Sequence, residues 1–169
     1  AFSPASDGSN PFFNLDHNKC VLCGICVRTC EQLQGVHALD FNFRGFNTRI
    51  GTFGNRPIVE SVCESCGECV VRCPVGALAP KNYVQPSREV KTVCAYCGVG
   101  CSIYLGGRGG KVVGARGDSE GPANRGSLCV KGRFGHEFVN HPQRLTTPLI
   151  KKDGRFVEAS WDEALGLVA

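Results

Sequence analysis

The sequence predicts an α+β chain whose small units fold around metal clusters, and three observations point there. Its twelve cysteines fall into three sets of four. Short apolar alternations bounded by Gly, Asn and Asp read as strands paired in hairpins. Hydrophobic residues make up 42% of the chain, with one Trp, no Met and 22 Gly, so a large aliphatic core is not available. Metal ligation supplies part of the folding free energy that such a core would otherwise provide.

The first unit is expected over residues 1–80, with 1–10 as a Pro/Ser/Gly-rich connector rather than a signal peptide. It holds Cys20, Cys23, Cys26 and Cys30, then Cys63, Cys66, Cys69 and Cys73 followed by Pro74. Both runs have the spacing Cys-x-x-Cys-x-x-Cys-x-x-x-Cys, which resembles the two-cluster bacterial ferredoxins. Three thiolates on one tight loop can each reach a different iron of a cubane, and the fourth ligand comes from elsewhere. In that pattern the last cysteine of each run serves the other cluster. Cys20, Cys23, Cys26 and Cys73 are therefore expected at one 4Fe-4S cluster, and Cys63, Cys66, Cys69 and Cys30 at a second.

Two plainer readings fit less well. Disulfides suit small secreted frameworks, whereas these cysteines recur three residues apart and no secretory segment is visible. Structural zinc usually takes two Cys-x-x-Cys pairs from separate loops, not three close cysteines and a remote one. Zinc is less readily set aside for the third set, whose spacing is looser.

Between the runs, 27–34 is expected as a short helix stopped by Gly35, and 37–50 as a hairpin around Arg44 and Gly45. That hairpin either covers a cluster from water or offers a docking surface. A linker is expected over 81–90, marked by prolines and mixed charges. The next unit, 91–145, carries Cys94, Cys97 and Cys101, with 27 residues separating Cys101 from Cys129. Residues 101–105 and 111–116 read as strands joined by the glycines of 106–110. Those glycines lack the Lys-Ser/Thr ending and the following helix of a phosphate loop. A short helix is expected over 131–140. From 146 the chain reads as the start of a further domain: a hairpin around Asp153 and Gly154, then a capping box, Ser160 to Glu163, opening a helix through Ala164, Leu165 and Val168.

The third set resembles a known family. Cys94-Ala-Tyr-Cys97-Gly-Val-Gly-Cys101 and Gly126-Ser-Leu-Cys129-Val-Lys131-Gly132 are similar to the N-terminal iron-sulfur domain of molybdenum- or tungsten-bis-pterin oxidoreductases. The stretch 138–149, and Trp161-Asp-Glu-Ala-Leu165 where a molybdopterin-binding domain would begin, look like the formate dehydrogenase catalytic subunit. The resemblance implies three 4Fe-4S clusters, the third held by Cys94, Cys97, Cys101 and Cys129. It also implies a Mo- or W-bis-molybdopterin guanine dinucleotide held by the parent chain. Lys131 would lie between cluster and pterin as an electron relay, and Arg133 would bind cofactor, with Arg116 and Arg125 as further candidates for pterin phosphates. Formate would be oxidised to carbon dioxide at Mo or W, and electrons would leave singly through this segment. The acceptor implied is a flavin/NAD-linked diaphorase subunit, a ferredoxin or a hydrogenase module in a hetero-oligomer.

Departures from the family pattern matter. Glu31 follows Cys30 where ferredoxins place Pro, and the family's catalytic metal ligand is not among these residues. The segment alone is thus not expected to oxidise formate. Histidines 17, 37, 136 and 141 are not needed as ligands, because cysteine completes every set; His17, three residues before Cys20, is expected to donate toward a cluster sulfur.

Other readings remain beside the leading one. A stand-alone polyferredoxin-type carrier is one, and a relay in another bis-pterin oxidoreductase such as nitrate reductase is a second. Iron-only hydrogenases follow their ferredoxin-like unit with different motifs. The large iron-sulfur subunit of respiratory complex I shares the third motif but carries the paired runs incompletely. The formal charge of +4 suggests nucleic acid until the clusters are counted; at roughly −2 for each oxidised site with its thiolates, the loaded protein falls to about −2. No nucleic-acid partner and no membrane span are expected. The absence of Met suggests a segment of a longer chain, and oxygen-labile clusters without an export signal suggest the cytoplasm.

Overall fold

Residues 5–169 are described by the structure, a computed structural model. They form two units, one ending at Glu137 and the other Phe138–Ala169. In the first, the elements in order are β1 (Phe13–Leu15), α1 (Ile25–Arg28), β2 (Asp40–Asn42), β3 (Arg49–Gly51), α2 (Glu68–Val71), β4 (Leu78–Pro80), β5 (Arg88–Val93), β6 (Ser102–Arg108), β7 (Lys111–Gly117) and α3 (Val130–Phe134). The second holds β8 (Leu149–Lys152), β9 (Arg155–Glu158) and α4 (Trp161–Val168).

Strands β1 and β4 pair antiparallel, with Phe13 opposite Pro80 and Leu15 opposite Leu78, so the two ends of the first cysteine-bearing segment close on each other. Period-two alternation buries Phe13 and Leu15 from β1. They meet Val27, Leu39, Ile50, Ile58 and Leu78 in a small core that also includes Cys26 and Cys69. Cysteine side chains thus take positions that aliphatic residues fill elsewhere.

Residues 1–4 of the expected connector lie outside the described residues. Residues 5–10 do not behave as a free connector. Asp7 and Leu15 exchange two backbone hydrogen bonds of 2.8 Å, and the Asp7 carboxylate accepts from the Ile58 N–H at 2.8 Å. Asn10, 1% exposed, donates from Nδ2 to Ser65 Oγ at 2.9 Å.

The helix expected over 27–34 begins two residues earlier, as α1, and widens into a π-helical turn, Thr29–Leu33, before Gly35 at φ 67°. Glu31 permits that continuation. Pro74, in the equivalent position after Cys73, has no N–H to offer and the chain turns instead. The hairpin between the runs is β2 paired with β3, with Phe41 opposite Ile50 and a 3-10 turn, Gly45–Asn47, at its tip. Phe41 covers Gly24 beside the first cysteine loop, while Phe46 at the tip is fully exposed.

Strands β5, β6 and β7 form a three-stranded antiparallel meander. Residues 88–90, expected at the end of the linker, belong to β5, because their backbone pairs with 105–107 of β6. The glycines of 106–110 form no phosphate loop: Gly106 and Gly107 lie within β6 at a register shift, and Gly109 and Gly110 make the turn at positive φ.

In the second unit, β8 and β9 pair around Asp153 and Gly154, at φ 48° and 78°, as a two-residue hairpin turn of the primed kind requires. Ser160 Oγ accepts from the Glu163 N–H and the Glu163 carboxylate accepts from the Ser160 N–H, both at 3.1 Å, so the capping box forms. No helix among the described residues is long and apolar enough to cross a membrane.

Candidate metal centres

Each of the first two cysteine runs makes the same loop. Leu22 and Ser65, both at φ 57°, precede the second cysteine, and Gly24 at 70° and Gly67 at 75° follow it. The left-handed turns wind the loop tightly enough to bring three cysteines toward one side, and each loop then enters a short helix, α1 or α2, at its third cysteine.

The fourth cysteines cross. One cavity is lined by Cys20, Cys23, Cys26 and Cys73, walled by Leu15, Ile50 and Leu78. A second is lined by Cys63, Cys66, Cys69 and Cys30, walled by Phe13, Leu39 and Ile58. Backbone N–H groups aim at the crossing sulfurs: Ala38 N–H donates to Cys30 Sγ at 3.2 Å, and Leu78 N–H to Cys73 Sγ at 3.5 Å. Ser65 N–H donates to Cys63 Sγ at 3.4 Å.

Burial, followed by repulsion from Cys20 and then by smaller effects of Cys23 and Cys73, pushes the Cys26 thiol up to about 11. Burial likewise raises Cys63 and Cys66, with Cys30 adding to both, and raises Cys69 well above its ordinary value. Burial works in the same direction at Cys73, but the backbone N–H groups of Leu78, Val75, Ala77 and Gly76 outweigh it and bring that thiol below its ordinary value. Without a cation these sites favour neutral thiols, so a ligand that binds thiolates must displace protons.

The third set is assembled over a longer stretch. The Cys94 N–H donates to the Cys101 carbonyl at 2.9 Å, which closes the short loop that carries Cys97. The β6–β7 hairpin then runs out and back, and 118–129 is fastened to Ser102, next to Cys101. Asp118 Oδ2 accepts from Ser102 Oγ at 2.8 Å, Asn124 Oδ1 accepts from the Ser102 N–H at 2.9 Å, and Asn124 Nδ2 donates to the carbonyls of Ser102 and Ser127, both at 3.1 Å. Cys129 is thereby returned to Cys101, whose thiol is raised by burial first and then by Cys94, Cys97 and Cys129. Gly132 faces Cys94, with only 3.7 Å between its missing Cβ and Cys94 Sγ.

The donor sets suit cubane clusters. The first two have four thiols around a shared apolar space, and in the third the other three thiols act on Cys101. Among the described residues no three His, Cys, Asp or Glu side chains meet closely enough to hold a single metal ion. A cubane takes one thiolate at each of four separate irons, so its ligands stand apart instead of converging on a point.

Arg133, expected at the cofactor, is 6% exposed, pairs with the Glu68 carboxylate, and donates from Nε to the Cys66 carbonyl at 2.8 Å. Its guanidinium is committed inside the fold. Arg116 is held bidentate by Glu89 at 2.8 and 2.5 Å and stacks over Tyr104. His17 does not line the Cys20 cavity; it borders a separate cavity with Arg49, Asn55 and Arg56, and its buried Nδ1 has no hydrogen-bond partner among the described residues. Lys131 is exposed, with Nζ 6.0 Å from the Tyr96 ring centre, on the helix that starts at Cys129.

Glu68, Asp118 and Asn124 escaped the reading of the sequence. A local signal existed for Glu68, since an acidic residue between Gly67 and Cys69 is unexpected beside anionic thiolates, and the first run has Ile25 there.

Three segments match family models. Residues 19–77 match the 4Fe-4S dicluster domain, 87–141 the molybdopterin oxidoreductase Fe4S4 domain, and 144–169 molybdopterin oxidoreductase. A relative from Bacillus subtilis named "Probable oxidoreductase YjgC" is 34% identical over 96% of this chain and 21% of its own. A protein from Rhizobium meliloti, named as a subunit of NADH-quinone oxidoreductase, is 38% identical over 92% of this chain and 18% of its own. A Staphylococcus aureus protein named "Putative formate dehydrogenase" is 30% identical over 98% of this chain and 21% of its own. The chain therefore spans about a fifth of the length of these relatives. A solved structure titled "Crystal structure of NAD+-reducing [NiFe]-hydrogenase in the H2-reduced state" is 33% identical, covering 47% of this chain and 34% of that one, with a TM-score of 0.42.

Proposed function

We propose that this chain, an iron-sulfur electron-relay segment of a molybdopterin oxidoreductase family member, carries three 4Fe-4S clusters and serves a formate dehydrogenase catalytic subunit. The observation that supports it most is the lining of the two cavities, where Cys73 joins the first loop and Cys30 the second. Sets of four thiols match cubane ligation, and crossing ties both loops into one core.

When bound, a Mo- or W-bis-pterin centre supplies the two-electron oxidation of formate to carbon dioxide, and the clusters carry its electrons one at a time. The residues here hold, insulate and tune. Cys20, Cys23, Cys26 and Cys73 hold the first cluster, Cys63, Cys66, Cys69 and Cys30 the second, and Cys94, Cys97, Cys101 and Cys129 the third. Apolar walls from Leu15, Phe13, Leu39 and Ile58 exclude water from the first two. Backbone N–H groups at Cys30 and Cys73 stabilise sulfur charge and so favour the reduced state. Lys131, two residues after Cys129, supplies a cation that attracts the arriving electron.

The acceptor in this reading is a flavin/NAD-linked diaphorase subunit, a ferredoxin or a hydrogenase module within a cytoplasmic hetero-oligomer. The relative named for NADH-quinone oxidoreductase favours a second reading, in which the same relay serves an NADH-linked complex without formate chemistry. The longer parent protein, isolated anaerobically, decides between them by elemental analysis and by cluster reduction. Iron at about twelve or more atoms per chain with Mo or W, and bleaching of the clusters by formate, is the expected result. Iron without Mo or W, with bleaching by NADH alone, moves the chain to the second reading. Zinc in place of iron overturns both.

A further inference from the structure

The two paired runs are twins in spacing and loop geometry, yet differ before their third cysteine, where the first has Ile25 and the second Glu68. Glu68 has no exposed surface. Its Oε1 accepts from the Leu128 N–H at 2.9 Å and from Arg133 Nη2, and its Oε2 accepts from Arg72 Nε at 3.3 Å. Arg133 is buried as well, and its Nε donates to the Cys66 carbonyl. A buried ion pair is a poor device for stability alone, since desolvation offsets much of its attraction. What it fixes well is relative position, because either partner left without the other is strongly unfavourable.

We propose that Glu68 and Arg133 are positioning residues that register the third cysteine set against the second, making the second cluster the immediate electron partner of the third. This rests on the reading that every set carries a 4Fe-4S cluster. Two short bridges join the sites. In one, Glu68, bonded in sequence to Cys69, accepts from the N–H of Leu128, bonded in sequence to Cys129. In the other, the Cys66 carbonyl accepts from Arg133 Nε, and the Arg133 N–H donates to the Cys129 carbonyl at 3.1 Å. Gly67 lets the helix of Arg133 come this close, for a Cβ there would stand 2.7 Å from Arg133 Cδ and 2.9 Å from the Phe134 ring. Ile25 offers the first run no such bridge. The step served is a one-electron transfer from the reduced third cluster to the oxidised second, in which no bond forms or breaks and Glu68 stays paired.

The test uses the full parent protein, isolated anaerobically, with iron counted and magnetic coupling between reduced clusters read by electron paramagnetic resonance. Glu68→Ile copies the first run. It is expected to keep its iron, lose the splitting between second and third clusters, and retain that between first and second. Exchange of the Leu128 amide proton should accelerate by roughly a hundredfold. Glu68→Gln keeps an acceptor for Leu128 but not the charge for Arg133, so it remains informative where the Ile variant fails to load. There the splitting narrows and amide exchange rises about tenfold. Full iron with unchanged splitting in either variant overturns the inference alone, as does equal loss of both splittings. Iron far below three clusters in the unaltered protein overturns the underlying reading and the inference together.

Discussion

Cys30 and Cys73 each stand in one run and line the cavity of the other. Replacing Cys30 by Ala should therefore remove the cluster of Cys63, Cys66 and Cys69 while sparing that of Cys20, Cys23 and Cys26. Iron should fall by about four atoms per chain. Cys73→Ala should do the reverse, and Mössbauer or paramagnetic resonance signatures of the two variants should be complementary. Loss of the same cluster in both would reject the crossing. Lys131 makes a separate case, because its side chain is exposed and its removal leaves every cysteine in place. Lys131→Ala should leave metal content intact and slow cluster reduction by formate in the parent enzyme by roughly tenfold, the equivalent of ~1.4 kcal/mol. Unchanged stopped-flow kinetics would return Lys131 to an ordinary surface position.

Among the elements, the turns within and just after the second cysteine run show how much a glycine depends on what packs against it. Gly67 and Gly76 both have positive φ, 75° and 65°, but only Gly67 has neighbours where a Cβ would stand. Gly76→Ala should cost about 1–2 kcal/mol, the penalty of the left-handed conformation. Gly67→Ala adds displacement of Arg133 and Phe134, about 1–3 kcal/mol more, and should also lower occupancy of the third site. Denaturation midpoints and iron content of the two variants check the difference; equal costs would mean that the helix of Arg133 does not press on the second loop. The same contrast explains what the sequence revealed. Cysteine spacing, the Asp153–Gly154 turn and the Ser160–Glu163 box are local chemistry, readable within a few residues. The partnership of Glu68 with Arg133 spans 65 residues and left no periodic trace. Polar residues 5–10 resemble a connector by composition, but Asp7 and Asn10 are polar because they satisfy backbone and side-chain groups within the fold. The resemblance suggests a cofactor ligand at Arg133; its burial and its partnership with Glu68 were not legible from the sequence.

At the scale of the whole molecule, twelve cysteines make the response to pH depend on whether metal is present. In the metal-free chain, burial, with help from neighbouring thiols, raises Cys26 to about 11 and also raises Cys63, Cys66, Cys69 and Cys101. An unfolded thiol titrates near ~8.5. Between those values the folded state binds more protons than the unfolded one, so stability is fully present below about 8.5 and is lost as pH rises toward about 11. In the loaded protein the sign reverses. Ligating thiolates carry no protons, whereas the unfolded chain regains them below ~8.5, so stability rises with pH up to that value and falls in acid. Thermal denaturation of loaded and chelator-treated protein, both anaerobic, should therefore give slopes of opposite sign on the two sides of about pH 8.5. A loaded protein whose melting temperature is flat from about pH 6 to 8.5 would mean that the thiols are not surrendering protons to a metal. Cys73, alone among the shifted thiols in lying below its ordinary value, runs against the metal-free trend and is expected to react with an alkylating agent before Cys26, Cys63, Cys66 and Cys69 after chelation.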